Sequence, residues 1–474
     1  MKAPHLKFVL IVLVFCIPVA CSAVTINPYP TTDTGYSWDG PSELHVTAPG
    51  SYDFETNDQK IIVYVDSSGV TLDGRNISIL RIEGKPDLKL DHITIDVSDP
   101  AHRGYVISDC EDISNSSISV RSREELIGIG TLYGKIDDTT IIELLGSSTT
   151  YGIETVSSSG VISGGTFTIS STGNVYGIHT VDGTISGGTF TISGQGGYTY
   201  GVHTVDGTIS GGTFTVLGQE YVYGIKKIAG GGVVSNNVTF DLLLQSSSSG
   251  RALGVDTVDG ILSGGAFTVT SSHDAYGVYT LKGTISGGTF TVTSFGNEHI
   301  AIGIESADDN SKVSGGTFTI TSQYDAAWIG GFDSSYNGLR GNAVVSGGRF
   351  FVNGRNNAYA IYRFHDSNAK ISGGEFWAKS AENAYGIGTL GSAIFLDVAL
   401  TGGTIINVWG STEETTNNIG HERRLTGGTP FPCYEFTYPV DGDRYVKNAN
   451  QYSISGKPIF WEYYESSVSC PPPT

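Results

Sequence analysis

A short motif recurs along most of this chain. Its core is SGG followed by a Thr-Phe-Thr-type segment, and the Ser of each copy stands at Ser163, Ser186, Ser210, Ser263, Ser286, Ser314, Ser346 and Ser372. Degenerate copies at Ser235, Thr401 and Thr426 fill the gaps, so that successive copies lie 23 to 32 residues apart. Length alone would suggest roughly three domains. A repeat of this period instead predicts one elongated body, in which each unit is covered only by its neighbours.

Alternation within the repeat predicts strands. In TISGGTFTIS, Ile185, Phe190 and Ile192 are apolar and alternate with polar residues, which is the period of two of a β-strand. The Gly187-Gly188 pair permits a backbone corner that a Cβ would hinder. The unit is too short for a propeller blade of about 40 residues. We therefore predict an all-β parallel solenoid of about fourteen coils, roughly 65 Å long at the usual strand spacing.

Stacking of coils predicts rows of equivalent residues. One row is aromatic and is interpreted as an inward stack, continued by Ile405: Phe167, Phe190, Phe214, Phe267, Phe290, Phe318, Phe350 and Phe376. A second row is interpreted as packing rather than as a sugar-binding face: Tyr151, Tyr176, Tyr200, Tyr223, Tyr276, Tyr359 and Tyr385. A third, variable row indicates a solvent face: Glu154, His179, His203, Lys226, Asp256, Tyr279 and Glu305.

A row of turn residues is polar. Its members are Ser159, Asp182, Asp206, Asp259, Lys282, Asn310, Asn342 and Asn368. Asp and Asn, often followed by Gly, are typical of turn positions with positive φ. Because Asp182, Asp206 and Asp259 would lie along one edge, we also expect them to be candidate Ca²⁺ ligands, since hard cations prefer carboxylate oxygens. No cofactor is otherwise expected.

These residues resemble the right-handed parallel β-helix repeat proteins. The segment SSGVTLDGRNISI is similar to the entry turn of the carbohydrate-binding and sugar-hydrolase-like β-helix families. The tandem ISGGTFTI copies resemble adhesin-like and envelope proteins of methanogenic archaea and bacteria. The resemblance spans roughly residues 60–430 and implies a single right-handed parallel β-helix with N- and C-terminal caps. It says little about function, because one fold hosts many activities.

The N-terminus indicates export. Lys2 and Lys7 precede the apolar run FVLIVLVFCIPVACSA, which is short for a membrane span and typical of a secretory signal. Cleavage after Ala23 is the first choice, with lipidation of Cys21 as the alternative. The formal charge of −20 would become −22 after cleavage, which opposes nucleic-acid binding.

The cysteines and sequons add candidate modification sites. After cleavage the chain keeps Cys110, Cys433 and Cys470. A Cys433–Cys470 disulfide would suit an oxidising exterior, and Cys110 would be able to link subunits if it is exposed. N-x-[Ser/Thr] sequons predict candidate N-glycosylation at Asn76, Asn115 and Asn237.

The chain divides into five predicted parts. A signal peptide at 1–23 precedes an N-terminal cap at 24–60, irregular β-helix coils at 61–160, a regular SGGTF array at 161–429, and a C-terminal cap with a Pro-rich tail at 430–474. Caps are expected because open solenoid ends expose strand edges.

An enzyme is the less favoured function. The charged residues that would share a groove lie in the irregular coils: Asp91, His92, Asp96, Asp109, Glu111, Asp112, Arg121, Arg123, Lys135, Asp137 and Asp138. A glycosidase needs a positioned carboxylate pair, and a charged outer face produces the same letters. We expect a non-enzymatic secreted surface protein, either a sheath or surface-layer subunit or an adhesin. Its partners would be its own copies, envelope components or polysaccharide. A β-helix polysaccharide lyase, hydrolase or binding protein is the alternative.

Overall fold

The chain folds into a parallel β-solenoid. The structure is a computed structural model that describes residues 24–26, 35–54, 60–73, 78–99, 101–245, 249–330, 338–362, 369–380 and 383–387, and the separate strands 399–400, 404–409, 416–419, 434–437, 445–448, 451–454 and 457–458. The described strands form a right-handed parallel solenoid of about 12 turns, which confirms the predicted fold class. The described residues contain about 12 turns, against about fourteen coils expected for the whole chain. No helix in the described residues is long and apolar enough to cross a membrane.

Each regular coil contains three strands, which stack into three sheets. Thr166–Ser171 belongs to the long-strand sheet, Val175–Val181 to the tyrosine sheet, and Thr184–Ile185 to the short-strand sheet. Each strand pairs in parallel with its equivalent in the next coil. The three sheets enclose one continuous apolar core.

The strands of the long-strand sheet follow one another along the axis. They are Thr94–Ser98, Ser117–Arg121, Ile141–Gly146, Thr166–Ser171, Thr189–Gly194, Gly212–Gly218, Val238–Leu244, Ala266–Ser271, Thr289–Ser294, Thr317–Ser322, Val344–Gly354, Lys370–Ser380 and Thr404–Trp409. In Val344–Gly354 and Lys370–Ser380 the short strand and the long strand are continuous.

The other two sheets are built in the same way. The tyrosine sheet contains Glu43–Val46, Lys60–Val65, Ser78–Glu83, Gly104–Cys110, Leu126–Leu132, Thr150–Val156, Val175–Val181, Tyr198–Val205, Tyr221–Ile228, Arg251–Val258, Asp274–Leu281, Ala301–Ala307, Asp325–Ile329, Gly338–Leu339, Asn357–Ile361, Asn383–Ile387 and Thr416–Ile419. The short-strand sheet contains Val24–Ile26, Gly50–Phe54, Val70–Asp73, Lys89–Asp91, Asp112–Ser114, Lys135–Ile136, Val161–Ile162, Thr184–Ile185, Thr208–Ile209, Val233–Val234, Ile261–Leu262, Thr284–Ile285, Lys312–Val313 and Ala399–Leu400.

The inward phenylalanine row is confirmed. Phe190 and Phe214 are fully buried, with ring centroids 4.4 Å apart and planes inclined by 3°. Phe240, which the sequence analysis omitted because its repeat begins with SNN, lies between Phe214 and Phe267 in the same stack. The assignment of Ile405 to this row was wrong, because the strand register pairs Ile406, and not Ile405, with Phe376. Offset-stacked rings at this separation fill a narrow core without voids.

The glycine pair of each repeat makes the corner before the long strand. Gly212 has φ +101°, a conformation that L side chains rarely adopt, and a Cβ on Gly211 would collide with the carbonyl oxygen of Ser186 in the preceding coil. In the degenerate SNN copy, Asn237 occupies the second position with φ 70°. Asn is the non-glycine residue that best tolerates this region, which explains why this copy still folds.

The parallel stack begins and ends with antiparallel pairs. Tyr36–Trp38 pairs antiparallel with Glu43–Val46, which then pairs in parallel with the next coil. Val24–Ile26 pairs in parallel with Gly50–Phe54. At the other end Tyr434–Thr437 pairs antiparallel with Thr404–Trp409, and Tyr445–Asn448, Gln451–Ile454 and Lys457–Pro458 form a small antiparallel sheet.

Truncation of one phenylalanine tests the core. Phe290 is fully buried between Phe267 and Phe318, whereas the next residue, Thr291, is exposed. We expect Phe290→Ala to lower the free energy of unfolding by about 3–5 kcal/mol, because a buried aromatic leaves a cavity. Thr291→Ala is the matched control. Equal losses for the two variants in denaturant unfolding would contradict this arrangement.

The corner makes a second prediction about stability. Gly211→Ala should destabilise more than Gly212→Ala, because its Cβ would collide with the carbonyl oxygen of Ser186, whereas a Cβ on Gly212 would lie 3.1 Å from the nearest backbone oxygen of the preceding coil. Gly212→Asn should be milder than Gly212→Ala, because Asn relieves part of the cost of about 1–2 kcal/mol for a left-handed L residue. Melting temperatures of the three variants test this order, and a lower melting point for Gly212→Asn than for Gly211→Ala would refute it.

Candidate functional site

The outer face of the tyrosine sheet carries a row of stacked tyrosines. We call Tyr151, Tyr176, Tyr200 and Tyr223 the tyrosine row. Consecutive ring centroids in this row are 4.6, 4.8 and 4.9 Å apart. Tyr200 and Tyr223, with Tyr176 packed against them, belong to a hydrophobic cluster separate from the main core. Further along, Leu253 and then Tyr276 continue the same position in the sheet register.

Stacking decides what the tyrosine row can bind. The face of each inner ring is covered by the ring of the adjacent coil, so only ring edges are directed toward solvent. Tyr200 and Tyr223 are 6% and 7% exposed. A sugar ring that binds by lying on an aromatic face therefore finds no free face between Tyr151 and Tyr223. This agrees with the interpretation of the row as packing.

The neighbouring variable row packs against the tyrosines. His179 and His203 stack on each other with centroids 4.7 Å apart, and His203 meets the ring of Tyr200 edge-on at 5.2 Å. Lys226 places its Nζ 4.9 Å from the centroid of the Tyr223 ring. The row was predicted to be a plain solvent face. That prediction was wrong, because His179, His203 and Lys226 are only partly exposed and cover the tyrosine row.

The electrostatics of this surface favour neutral side chains. Burial, with the nearby His179 and Lys226, lowers the pKa of His203 to about 4, and burial also lowers the pKa of His179. Burial raises the pKa of Tyr200 well above its ordinary value. At neutral pH the imidazoles are therefore uncharged and the phenol stays protonated. The formal charge beside them is largely cancelled, because Lys226 pairs with Asp256 at 2.7 Å.

The first coils hold a set of potential metal ligands. Asp73 and Asp91 are directly opposite in adjacent short strands, and their carboxylates and His92 place ligand atoms within 4.8 Å of one another. Burial raises the pKa of Asp91, but hydrogen bonds from Asn115, Ser114 and His92 outweigh it and lower the pKa overall. The sequence analysis named Asp91 and His92 but missed Asp73. The similarity of LDG at residues 72–74 to LDH at residues 90–92 would have indicated it.

A second potential ligand set was also missed. Asp39, Glu43 and His45 lie close together at the N-terminal hairpin. His45 Nδ1 is 2.7 Å from Asp66 Oδ2, and its ring stacks on Tyr64. An ordinary ion pair and ring contact thus already engage this histidine.

The remaining members of the predicted charged cluster do not meet in one groove. Asp96 and Arg121 lie on strands of the long-strand sheet, whereas Asp109 lies on a strand of the tyrosine sheet. Within the short-strand sheet, Lys89 Nζ is 3.1 Å from Asp112 Oδ2 and 3.5 Å from Glu111 Oε2.

The backbone contacts of these residues are local. The amide of Lys135 donates to Asp112 Oδ1, and Thr139 donates to Asp137 within one turn. Glu124, near Arg123, donates its amide to Ser122, and Asp138 contacts Gly164 of the next corner. The described cluster is therefore spread over the three sheets and the turns between them.

The predicted Ca²⁺ residues lie along one edge but are not evenly stacked. The amide of Asp206 donates to the residue before Asp182, so these two turns are adjacent, whereas Ala229 stands between Asp206 and Asp259. Lys227 Nζ is 3.2 Å from Asp259. The expectation of positive φ was wrong for these aspartates, because the described non-glycine residues with positive φ are His92, Asn115, Asn237 and Asn310. Calcium binding stays a prediction.

The other predicted modification sites differ in access. Cys110 is fully buried, and burial raises its pKa far above the ordinary thiol value. The intermolecular link required an exposed thiol, so the structure corrects that expectation. Asn115 and Asn237 are exposed, and the side chain of Asn115 donates to Asp91 at 2.8 Å. Asn76, Cys433, Cys470 and the signal segment 1–23 lie outside the described residues.

Comparison with known proteins does not assign the chain to a family. No family model matches the chain, and neither a curated protein nor a solved structure matches it. The resemblance to envelope and adhesin-like proteins therefore depends on the repeat residues themselves.

The half-buried side chain of His203 predicts a pH effect on stability. The folded-state pKa of His203 is about 4, below its ordinary 6.5, so the unfolded chain binds this proton first as the pH falls. Stability contributed by neutral His203 is present above pH 6.5 and is lost as the pH falls toward 4. In His203→Tyr, which copies Tyr279 of a later coil, this part of the pH dependence should disappear. Unfolding curves measured between pH 4 and 7 test it, and an identical slope in both proteins would contradict it.

Proposed function

We propose that this protein is a secreted, non-enzymatic structural protein of a cell surface, serving as a sheath or surface-layer subunit or as an adhesin. The observation that carries the proposal is the unbroken stack of about 12 turns around one apolar core. In such a solenoid each coil contacts only its neighbours, which produces a stiff rod with two ends and three long sides. Rods of this kind suit lattices and stalks.

The negative charge of the chain limits how copies of the rod associate side by side. The chain carries a formal charge of −20, so copies that approach side by side repel one another unless cations lie between them. Asp182 and Asp206 are exposed on adjacent turns, where carboxylates attract hard cations. We infer that Ca²⁺ promotes association of the rods through this edge, and that the protein works outside the cell with its own copies, envelope components or polysaccharide as partners.

A second candidate function is action on polysaccharide, as in the β-helix lyases and hydrolases. The observation that favours it is the Asp73–Asp91–His92 set beside Lys89 and Asp112 in the short-strand sheet. Carboxylates next to a base or a metal are the groups that such chemistry uses. Release of reducing or unsaturated ends by the purified protein, lost in Asp91→Asn, would favour this function over the structural one.

Sedimentation tests the assembly. The purified chain without its first 23 residues should sediment as a small species with chelator and as large assemblies with millimolar-range Ca²⁺. The variant Asp182→Asn with Asp206→Asn should require more Ca²⁺, because it removes two carboxylates from the edge. Asp241→Asn, which removes an exposed acid from the long-strand sheet, is the control.

The outcomes separate the versions of the proposal. A monomer with and without Ca²⁺, at high protein concentration, would remove the lattice function and leave the adhesin. Imaging of isolated envelopes with an antibody against the chain locates it directly. Absence of the label from the cell surface would contradict both.

A further inference from the structure

The outer face of the long-strand sheet carries a regular array of threonines. In Thr166–Ser171, Thr166 and Thr168 are exposed and Phe167 between them is buried. In each of the next six coils a buried phenylalanine likewise alternates with outward residues that are exposed or partly exposed. Three outward rows result. The first contains Thr166, Thr189, Thr213, Thr239, Ala266, Thr289 and Thr317; the second contains Thr168, Thr191, Thr215, Asp241, Thr268, Thr291 and Thr319; the third contains Ser170, Ser193, Leu217, Leu243, Thr270, Thr293 and Thr321.

The spacing of the array is set by the backbone. Neighbours in one row are directly paired across parallel strands, so they lie about 4.8 Å apart, and adjacent rows are two residues or about 6.6 Å apart. The phenylalanine stack directly beneath holds successive coils parallel, with ring planes inclined by only 3–11° from Phe167 to Phe290. The result is a two-dimensional lattice made mostly of hydroxyl and methyl groups, interrupted at Leu217, Asp241, Leu243 and Ala266.

Charge is almost excluded from this face. The chain has a formal charge of −20, yet Asp241 is the one charged residue among the outward positions of these seven described strands. Charges return in the coils on either side, with Glu143 before the array and the Arg349–Glu375 ion pair at 2.9 Å after it. A flat neutral patch on an acidic protein is complementary to an uncharged, repeating surface.

Threonine has the chemistry to hold ordered water in a fixed pattern. Its hydroxyl donates and accepts hydrogen bonds, and its methyl group favours removal from liquid water. Branching at Cβ restricts χ1, so that little side-chain freedom is lost on binding. Both spacings of the array are close to the distances at which water oxygens repeat in hexagonal ice. We propose that this face, which we call the threonine array, binds ice.

A crystalline polysaccharide fits the same face less well. Proteins hold sugars by laying rings on exposed aromatic faces and by fixing hydroxyls with a few polar groups. The aromatic residues of these seven strands point into the core, and the outward residues contain one carboxylate and no amide. The tyrosines on the neighbouring sheet stack on each other. Ice needs only the hydroxyl and methyl lattice that the array offers.

Ice growth in the presence of the purified chain tests the proposal. The chain without its first 23 residues should inhibit ice recrystallisation and produce thermal hysteresis. Thr191→Tyr, at the second position of the second row between Thr168 and Thr215, should abolish most of both effects because the bulky ring holds the ice surface away from the array. Thr184→Tyr introduces the same side chain on the short strand that immediately precedes the strand of Thr191, and it should leave both effects unchanged.

A folding control and a second substitution distinguish loss of the ice-binding surface from loss of the fold. Circular dichroism must show that the variants retain the β-solenoid, and tyrosine is favoured on strands. Thr291→Tyr, which lies four coils further along the same row, should cause the same loss as Thr191→Tyr. This test is separate from the Ca²⁺ assembly, which uses another edge of the rod.

Three results would overturn the proposal. The first is absence of any effect of the unmodified chain on ice. The second is an equal loss in Thr184→Tyr and Thr191→Tyr, which would locate the activity elsewhere. The third is retention of the chain on microcrystalline cellulose or chitin that Thr191→Tyr weakens while ice growth is unaffected, which would assign the array to polysaccharide.

Discussion

The in-register stacking of one coil on the next is the interaction on which the rest of this structure depends. A single coil has an apolar interior side and no second layer of its own to cover its edges, so the neighbouring coil supplies both the backbone hydrogen bonds and the packing surface. Phe190 and Phe214 illustrate both contributions, because the two residues pair across adjacent parallel strands and their ring centroids lie 4.4 Å apart. Every other row of residues is positioned by the same register.

Stacking makes like residues neighbours, and its consequences depend on their chemistry. Apolar and hydroxyl rows repeat without cost, as in the phenylalanine stack and the threonine array. A row of like charges is destabilising in a sheet. The turn row accordingly does not continue as aspartate: after Asp206 come Ala229, Asp259, Lys282 and Asp308 in the backbone register. The outward rows are therefore neutral or mixed in charge, with acidic pairs confined to short segments.

The phenylalanine stack and the corner glycines were predictable because each depends on a local pattern that recurs. Errors occurred where the pattern was interrupted. Phe240 was missed because SNN replaces SGG, although Asn237 adopts the positive φ that a glycine would otherwise supply. Ile405 was assigned to the stack in place of Ile406, because a one-residue change in corner length moves a strand to the opposite face.

The amino-acid sequence by itself determined the fold class, the approximate length of a coil and the residues that face the core, since period and alternation depend only on neighbouring positions. Tertiary structure alone decided how the rows cover one another. It buried Cys110, brought Asp73 beside Asp91, and closed the faces of the tyrosine row by stacking. The physical reason is that contacts between coils depend on the register set by turns of unequal length, which residue type does not specify. The same register spaces the threonines evenly enough to form a surface lattice.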